Sequence, residues 1–135
     1  MEKYSWEFMS QFSINNPPKI TIYRDSKTDT RYKFKKAELK KNGISICDYL
    51  KTKLFSGYNK YKEYRIIENE FKYNLANGIF HYNIWINPSV YKYYDETRIK
   101  QISKNIMKNR NFIIFKNLEH NMSVPSIVHY HIFYR

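Results

Sequence analysis

Large apolar and mostly polar positions alternate most regularly over Phe80–Ile86. Because successive side chains of a strand point to opposite faces, this pattern predicts a strand with one buried face. The step Asn87-Pro88 should end it, since proline has no ladder N–H and restricts the residue before it. Beyond Lys92, apolar residues recur every three or four positions among cations, which predicts an amphipathic basic helix. Its apolar stripe is Ile99, Ile102 and Ile106, and its outward cations are Arg98, Lys100, Lys104 and Lys108.

Shorter periodic stretches predict the other elements. The first strand is predicted at Lys19–Arg24, which alternates cleanly. A short helix is predicted after Gly43, with Ser45 as its N-cap and Gly57 as its stop. Its apolar positions are Ile46, Cys47, Leu50 and Leu54. Further strands are predicted at Arg65–Tyr73, Phe112–Phe115 and Ile127–Tyr134, with a turn at Asn74–Gly78 and a turn or short helix at Leu118–Pro125.

The predicted order is strand, helix, strand, strand, helix, strand, followed by a terminal strand. Each strand has an apolar face and each of the two helices has an apolar stripe. This pattern favours an α+β fold, namely a two-layer split β-α-β (ferredoxin-like) sandwich whose antiparallel sheet carries both helices on one face. Residues 1–18 end in two successive prolines and are predicted to be an N-terminal extension, with residues 19–135 as a single domain.

The charge of the chain indicates a polyanionic partner. Its 135 residues carry 24 lysines and arginines against 12 acids, a formal charge of +12. Excess charge of one sign opposes compaction, so nucleic acid and anionic membranes are the leading partners. With 14 Tyr, 9 Phe and 2 Trp, the chain is too aromatic for a disordered basic tail. No apolar run approaches the ~20 residues that cross a bilayer, and no targeting segment is visible. The frequent Lys, Asn, Ile, Tyr and Phe suggest an AT-rich genome, such as that of an organelle, a virus or a low-GC bacterium.

Two segments concentrate these charges. Asp25–Asn42 is dense in lysine and arginine, which is typical of a solvated helix face but also of a surface that faces phosphates. Tyr58–Arg65 alternates aromatic residues with cations. That mixture suits stacking on RNA bases, and it equally suits a half-exposed strand with snorkelling lysines.

His129-Tyr130-His131 is the strongest candidate for chemistry. Two histidines at i and i+2 on a strand point the same way, as in the metal motif of the HUH relaxase and replication nucleases. Such an enzyme would need Tyr93 or Tyr94 as its nucleophile. The alternative interpretation is a strand face at a surface or interface.

Other catalytic patterns are absent from the sequence. There is no glycine-rich phosphate loop and no nucleophile elbow. Asp95 and Glu96 suit the first turn of a helix, where acids favour the positive end of the dipole. His81 and His120 have no visible partner. The sequence therefore predicts a protein that is not an enzyme and has no cofactor or metal.

Two local patterns and the element order resemble the small-subunit ribosomal protein S10 family, whose members have the split β-α-β fold. In that family a strand ends in Ser-Pro-His-apolar-x-Lys before a charged helix with an Arg-Glu pair. Here residues 87–92 match at Pro88, Val90 and Lys92, and Asp95-Glu96 stands where Arg-Glu is expected. The segment 122–132, with its Val-Pro step, resembles the family's approach to its last strand. The family's Ser and His are Asn and Ser here, and its Gly-Pro and Leu-Pro steps are not visible between Arg65 and Gly78.

The resemblance implies a divergent, organelle-encoded member. It would be a non-catalytic protein of the head of the small mitochondrial ribosomal subunit (or a cytoplasmic one), bound to ribosomal RNA and neighbouring proteins, with no membrane or small-molecule substrate. Its loop Glu68–Gly78 would reach into the ribosome. The predicted RNA contacts are the basic residues Lys19, Arg24, Lys27, Arg31, Lys33, Lys35, Lys36, Lys40, Lys41, Lys60, Lys62, Arg65, Lys72, Lys92 and Arg98. The alternatives are an HUH-type single-strand nuclease of a virus or plasmid that uses His129 and His131, and a small basic phage protein that inhibits another protein.

Overall fold

A computed structural model describes residues 2–90, 95–118, 122 and 127–135. Within those ranges the chain forms helices on its N-terminal side, two hairpin-like strand pairs and one helix between them. The elements are α1 Trp6–Met9, α2 Ser26–Lys41, α3 Ile46–Leu54, a 3-10 turn Gly57–Asn59, β1 Tyr64–Glu68, β2 Phe80–Ile86, α4 Glu96–Met107, β3 Phe112–Phe115 and β4 His129–Tyr134.

The four strands form one antiparallel sheet in the order β1-β2-β4-β3. β2 and β4 are the central strands, and their register places Ile84 opposite Tyr130 and Asn83 opposite His131. The predicted α+β class and antiparallel sheet are confirmed. The bounds of β2 and β3 are those predicted, whereas β4 begins at His129 rather than Ile127. Most of the predicted turn at Leu118–Pro125 lies outside the described residues.

The sheet is covered on both faces. On one face, Ile84 and Ile132 pack with Ile99 and Met107 of α4. On the other face, Phe115 and Phe133 pack with the N-terminal segment, and α3 lies over β1, where the Arg65 guanidinium donates to the carbonyl of Leu54 at 3.0 Å. The helices predicted around Ile46 and Ile99 were expected on one face, but they lie against opposite faces. The physical reason is that both faces of β2 and β4 carry side chains that need cover.

The segment Lys19–Arg24 is not a strand, contrary to the prediction. Its Ile22 is buried, but Ile20 remains exposed, so one of the two alternating apolar positions finds no partner. The place beside β2 that this segment would occupy in a split β-α-β sheet is filled by β4. The segment therefore alternates as a strand does, but β4 already occupies the position beside β2, so the segment has no strand to pair with there.

The strand predicted at Arg65–Tyr73 is shorter and shifted, since β1 spans Tyr64–Glu68. The loop that follows is anchored to the domain. Its Tyr73 and Leu75 are buried, and Leu75 forms a bridge with Tyr4 of the N-terminal segment. The loop that the S10 resemblance expects to extend into the ribosome is therefore packed against the domain at its centre.

Residues 1–18 contribute to the core as well as preceding it. Met9 is fully buried and Phe12 nearly so, and the ring of Phe12 meets that of Phe115 edge-on at 5.8 Å. Burial of a large apolar side chain stabilises a fold by about 1.5–3 kcal/mol. The N-terminal segment is thus part of what holds the sheet face closed.

The helix ends follow from side-chain capping. Asp25, Ser45 and Asp95 each accept a hydrogen bond from the backbone N–H three residues on, at 2.7, 3.0 and 2.8 Å. Ser45 is the N-cap that the sequence predicts for α3, although α3 ends at Leu54, before Gly57. In α4 the predicted stripe is confirmed at Ile99 and Ile102, while Met107 rather than Ile106 completes it. In the described part of the chain, no helix has the length and apolar character needed to cross a membrane.

Candidate nucleic-acid interface

The helix α2 is mostly exposed and strongly basic. It carries seven lysines and arginines against two acids, and Leu39 is its only buried residue. Because 3.6 residues make a turn, Lys27, Phe34 and Lys41 lie along one stripe of its outer face. The ring of Phe34 is 72% exposed. An exposed aromatic ring between two cations is a combination that can stack on a base and neutralise the adjacent phosphates.

A second aromatic and basic feature, the tyrosine loop, spans residues 58–62. Tyr58 is fully exposed and Tyr61 is 81% exposed, with the Lys60 ammonium 5.5 Å from the centre of the Tyr61 ring. This segment is a 3-10 turn and loop, so the half-exposed strand interpretation is wrong here, and β1 begins only at Tyr64. The stacking interpretation of these tyrosines stays a prediction.

The proline corner after β2 holds this loop in place. Asn87 is buried, and its amide nitrogen donates to the carbonyls of Lys60 and Lys62, both at 2.9 Å. Its amide oxygen accepts from the N–H of Ser89 at 3.0 Å. Every polar atom of this side chain is therefore used, which gives a structural reason for asparagine at this corner. Lys92 lies outside the described residues.

Most of the predicted RNA-contacting residues have exposed side chains. These are Lys19, Lys27, Arg31, Lys33, Lys36, Lys40, Lys41, Lys60, Lys62, Lys72 and Arg98. Three of them lie within ion-pair distance of an acid, at 3.0 Å for Lys33 with Asp29, 3.6 Å for Lys72 with Glu68 and 3.3 Å for Arg98 with Glu63. Exposed pairs of this kind contribute little, about 0–1 kcal/mol. Their cations therefore remain candidates for binding phosphate.

Three predicted contacts are instead partly buried and engaged inside the chain. Arg24 donates to the carbonyl of Phe71 at 2.8 Å and lies 4.1 Å from the centre of the Tyr32 ring. Arg65 donates to Leu54, as described above. The half-buried Lys35 has its ammonium 4.7 Å from the centre of the Tyr49 ring, so it ties α2 to α3.

Below α2 and α3, the sheet face holds a buried ring network that the sequence did not reveal. His81 has no partner visible in the sequence, and in the fold its Nε2 lies 2.8 Å from Nδ1 of His131. Its Nδ1 accepts from the N–H of Tyr73 at 3.3 Å. His129 and His131 are both buried, so the interpretation of this strand face as a surface is wrong for the chain as described.

The backbone N–H of Tyr73, which donates to His81 Nδ1, sets the tautomer of His81. Because His81 Nδ1 accepts, its Nε2 carries the proton and donates to His131 Nδ1, which leaves the proton of His131 on Nε2. That N–H faces the Asn117 amide at 3.2 Å, and the same amide atom lies 2.9 Å from the Tyr73 hydroxyl. With this atom assigned as the oxygen, it accepts from both groups. Burial lowers the pKa of His81 and of His131 well below 6.5, so both rings are neutral.

A cavity of about 370 Å³ lies beside this network, between the sheet face and the helices α2 and α3. Asn83, Trp85 and His129 line it from the sheet, and Tyr32 and Tyr49 line it from the helices. The His129 ring stacks on Trp85 with 4.4 Å between ring centres. Asn83 and Tyr32 were not recognised from the sequence. The signal that was available is that Asn83 shares a strand face with the histidines opposite it.

The metal interpretation of His129 and His131 gains no support from this geometry. Both nitrogens of His131 are already hydrogen-bonded, to His81 and to Asn117. Among the described residues, no three histidine, cysteine, aspartate or glutamate side chains cluster as a metal site requires. The nucleophile candidates Tyr93 and Tyr94 lie outside the described residues.

Comparison with known proteins gives the fold and no function. No protein-family model matches the sequence, and no curated protein matches it. The fold is similar to that of a solved protein described as the crystal structure of HTC1, with a TM-score of 0.62 over 97% of this chain and 84% of HTC1. The two chains are 16% identical, so the similarity concerns the arrangement of helices and strands alone.

Proposed function

We propose that this chain is a non-catalytic RNA-binding protein whose main contact surface is the outer face of α2, with the tyrosine loop as a second contact. The observation that carries the proposal is α2 itself, a 16-residue helix that presents a run of cations and the exposed ring of Phe34 while burying one residue. Because this helix contributes so little to the core, its exposed cations and the ring of Phe34 are available to bind a partner. The overall charge of +12 agrees with a polyanionic partner.

The mechanism follows from charge and stacking. Lysines of α2 would neutralise phosphates and release counterions, which makes the affinity depend steeply on salt. Phe34 and the tyrosines of the loop offer flat faces on which unpaired bases stack. The folded core fixes where these groups lie, so the surface is preorganised rather than a flexible basic tail.

The test is the salt dependence of binding to a single-stranded RNA oligonucleotide. Replacing the two lysines that flank Phe34, in the variant K27Q/K41Q, should lower the affinity at low salt. It should also reduce the slope of log K against log salt by about 1.4, since each phosphate contact on a single strand contributes about 0.7. The matched control is K100Q/K104Q, which removes the same charge from exposed positions of α4 on the other side of the sheet.

A larger loss of affinity and of salt slope in K27Q/K41Q than in K100Q/K104Q would support an interface on α2. Equal losses in both would show that net charge alone attracts the RNA, and a flat salt profile for the unmodified protein would refute RNA binding through phosphates.

The narrower S10-like hypothesis, a place in the head of the small ribosomal subunit, stays a prediction within this proposal. It rests on the corner at Pro88, and it lacks the first strand that the element order requires. Sucrose-gradient fractionation of native lysate, with the chain followed by mass spectrometry, tests it directly. Migration with the small subunit through a moderate salt wash is expected, and recovery only in the light fractions would refute the ribosomal placement while leaving RNA binding open to the salt assay.

A further inference from the structure

The cavity between the sheet and the helices α2 and α3 has the size and lining of a ligand site. Its volume of about 370 Å³ lies in the range of roughly 300–1,000 Å³ that ligand pockets occupy. Its lining combines aromatic rings with a few polar side chains. Neither the proposed RNA-binding face of α2 nor the packing of the core accounts for those polar side chains.

Two of those polar atoms are acceptors without a donor. His129 Nδ1 lies 2.8 Å from the carbonyl oxygen of Ile127, so it carries the ring proton and Nε2 holds a lone pair. The amide nitrogen of Asn83 lies 3.3 Å from His131 Nδ1, so the amide oxygen of Asn83 faces away from His131 and is the second acceptor. Among the described residues, neither atom receives a hydrogen bond, and neither is fully enclosed by the protein, so both are accessible to an occupant of the cavity.

One polar atom of the lining is both fully buried and unpaired. The hydroxyl of Tyr32, on the helix side of the cavity, is buried and has no hydrogen-bond partner within the described ranges. Buried polar atoms are nearly always paired, so the unpaired hydroxyl facing two accessible acceptors across one cavity indicates an occupant that pairs with them. The occupant must offer N–H or O–H donors to the sheet side.

The remaining lining restricts the occupant further. Trp85 and the His129 ring stacked on it line one side of the cavity and Tyr49 lines the other, and this aromatic lining favours a planar ring system. Lys53 is paired with Glu70 at 3.4 Å, whereas Lys35 has no acidic partner among the described residues. Its ammonium near the Tyr49 ring therefore favours an anionic group on the ligand.

We propose that this cavity binds a single nucleotide whose base carries an exocyclic amine, that is adenine, cytosine or guanine, with its phosphate toward Lys35. The amine donates to Asn83 Oδ1 and His129 Nε2, and the base stacks among the aromatic rings. Uracil lacks that amine and presents carbonyl oxygens instead, which face the two acceptors unfavourably. The inference rests on the proposed function, since an RNA strand is one source of the nucleotide and a free mononucleotide is the other.

The test measures the binding of AMP, CMP, UMP and ribose 5-phosphate, and of oligo(A) and oligo(U), to the full chain by calorimetry. AMP and CMP should bind about tenfold more tightly than UMP, because an unpaired buried acceptor loses its hydrogen bond. The variant H129F keeps the stacking ring but removes one of the two acceptors, so it should reduce the preference for AMP over UMP. The variant K100Q/K104Q should leave mononucleotide binding unchanged, because those lysines lie on α4, on the other side of the sheet.

An independent readout does not depend on how any variant folds. In the unmodified protein with ¹⁵N-labelled histidine, titration with AMP should shift the Nε2 resonance of His129 as it gains a donor. Ribose 5-phosphate, which has no base, should not shift it.

The outcomes separate the two proposals. Selective binding of oligo(A) assigns the strand as the source, and selective binding of AMP alone assigns the free nucleotide. Equal affinity for AMP, UMP and ribose 5-phosphate, or no shift of His129 Nε2, would overturn the nucleotide site and leave a hydrated cavity. In that case salt-dependent binding of RNA would still support the proposed function, and AMP selectivity without any RNA binding would refute that function alone.

Discussion

Acidification should destabilise this fold through the buried histidines of the ring network. His81 and His131 are held neutral because burial lowers the pKa of each well below 6.5. In the unfolded chain both would protonate near 6.5, so the unfolded state binds more protons as the pH falls. Their contribution to stability is complete above pH 6.5. It is lost progressively from there down to the folded pKa, below which it no longer changes.

The magnitude follows from the number of groups involved. Each histidine that is neutral in the fold and charged when unfolded changes the free energy of unfolding by about 1.4 kcal/mol per pH unit. His81 and His131 together give about 3 kcal/mol per pH unit. Burial also lowers the pKa of His129, which acts in the same direction. For a domain whose total stability is about 5–15 kcal/mol, one pH unit below 6.5 removes a large share.

The assay is urea unfolding followed by circular dichroism at several pH values between 7.5 and 5. The variant H81Q/H131Q removes both titrating rings and should flatten the pH dependence by about 3 kcal/mol per unit. Ile132→Val is the matched control, because it weakens the opposite face of the sheet by about 0.5–1.5 kcal/mol without removing a titrating group. If all three proteins had the same slope against pH, the neutral buried state of these histidines would be refuted.

Three further predictions concern stability at neutral pH, each measured by urea unfolding. Asp95→Ala should lower the free energy of unfolding by about 1 kcal/mol through loss of the cap on the Arg98 N–H, whereas Asp95→Asn should keep it, and equal losses would contradict capping. Ile84→Ala should cost about 2–5 kcal/mol, since Ile84 is fully buried against α4, and a loss below 1 kcal/mol would mean that this face repacks. Gly78→Ala should cost about 1–2 kcal/mol through backbone strain alone, because its φ is +87° and an added Cβ meets nothing within 4 Å, so an unchanged stability would contradict strain at this turn.

The local elements could be predicted because their signals are local. The alternation over Phe80–Ile86, the Ser45 cap and the spacing of Ile99 and Ile102 each depend on neighbours within a few residues. Lys19–Arg24 carries the same kind of signal, and it failed because a strand also needs a partner edge. Which segment occupies the position beside β2 is decided by pairing across the whole chain, which periodicity does not contain.

The candidate site was predictable to a similar degree. The basic character of α2 is visible in composition, but the loss of Arg24 and Arg65 to internal carbonyls depends on contacts made far along the chain. The ring network was hidden for the same reason, since His81 and His131 are separated by 50 residues and meet only through the β2–β4 register. A histidine without a sequence neighbour is therefore not a histidine without a partner.

The strand order β1-β2-β4-β3 also sets the sequence of events during synthesis. The ribosome makes β1, β2, α4 and β3 before β4, yet β4 is the strand that joins β2 to β3. Until residues 129–134 emerge, β2 has a backbone partner on one side only and β3 has none in the described sheet. Unpaired strand edges of this kind can bind chaperones or pair with the wrong strand, and both processes compete with folding. The commitment to the native sheet therefore comes only once β4 has been made and depends on long-range pairing, so we expect this chain to fold slowly for its size.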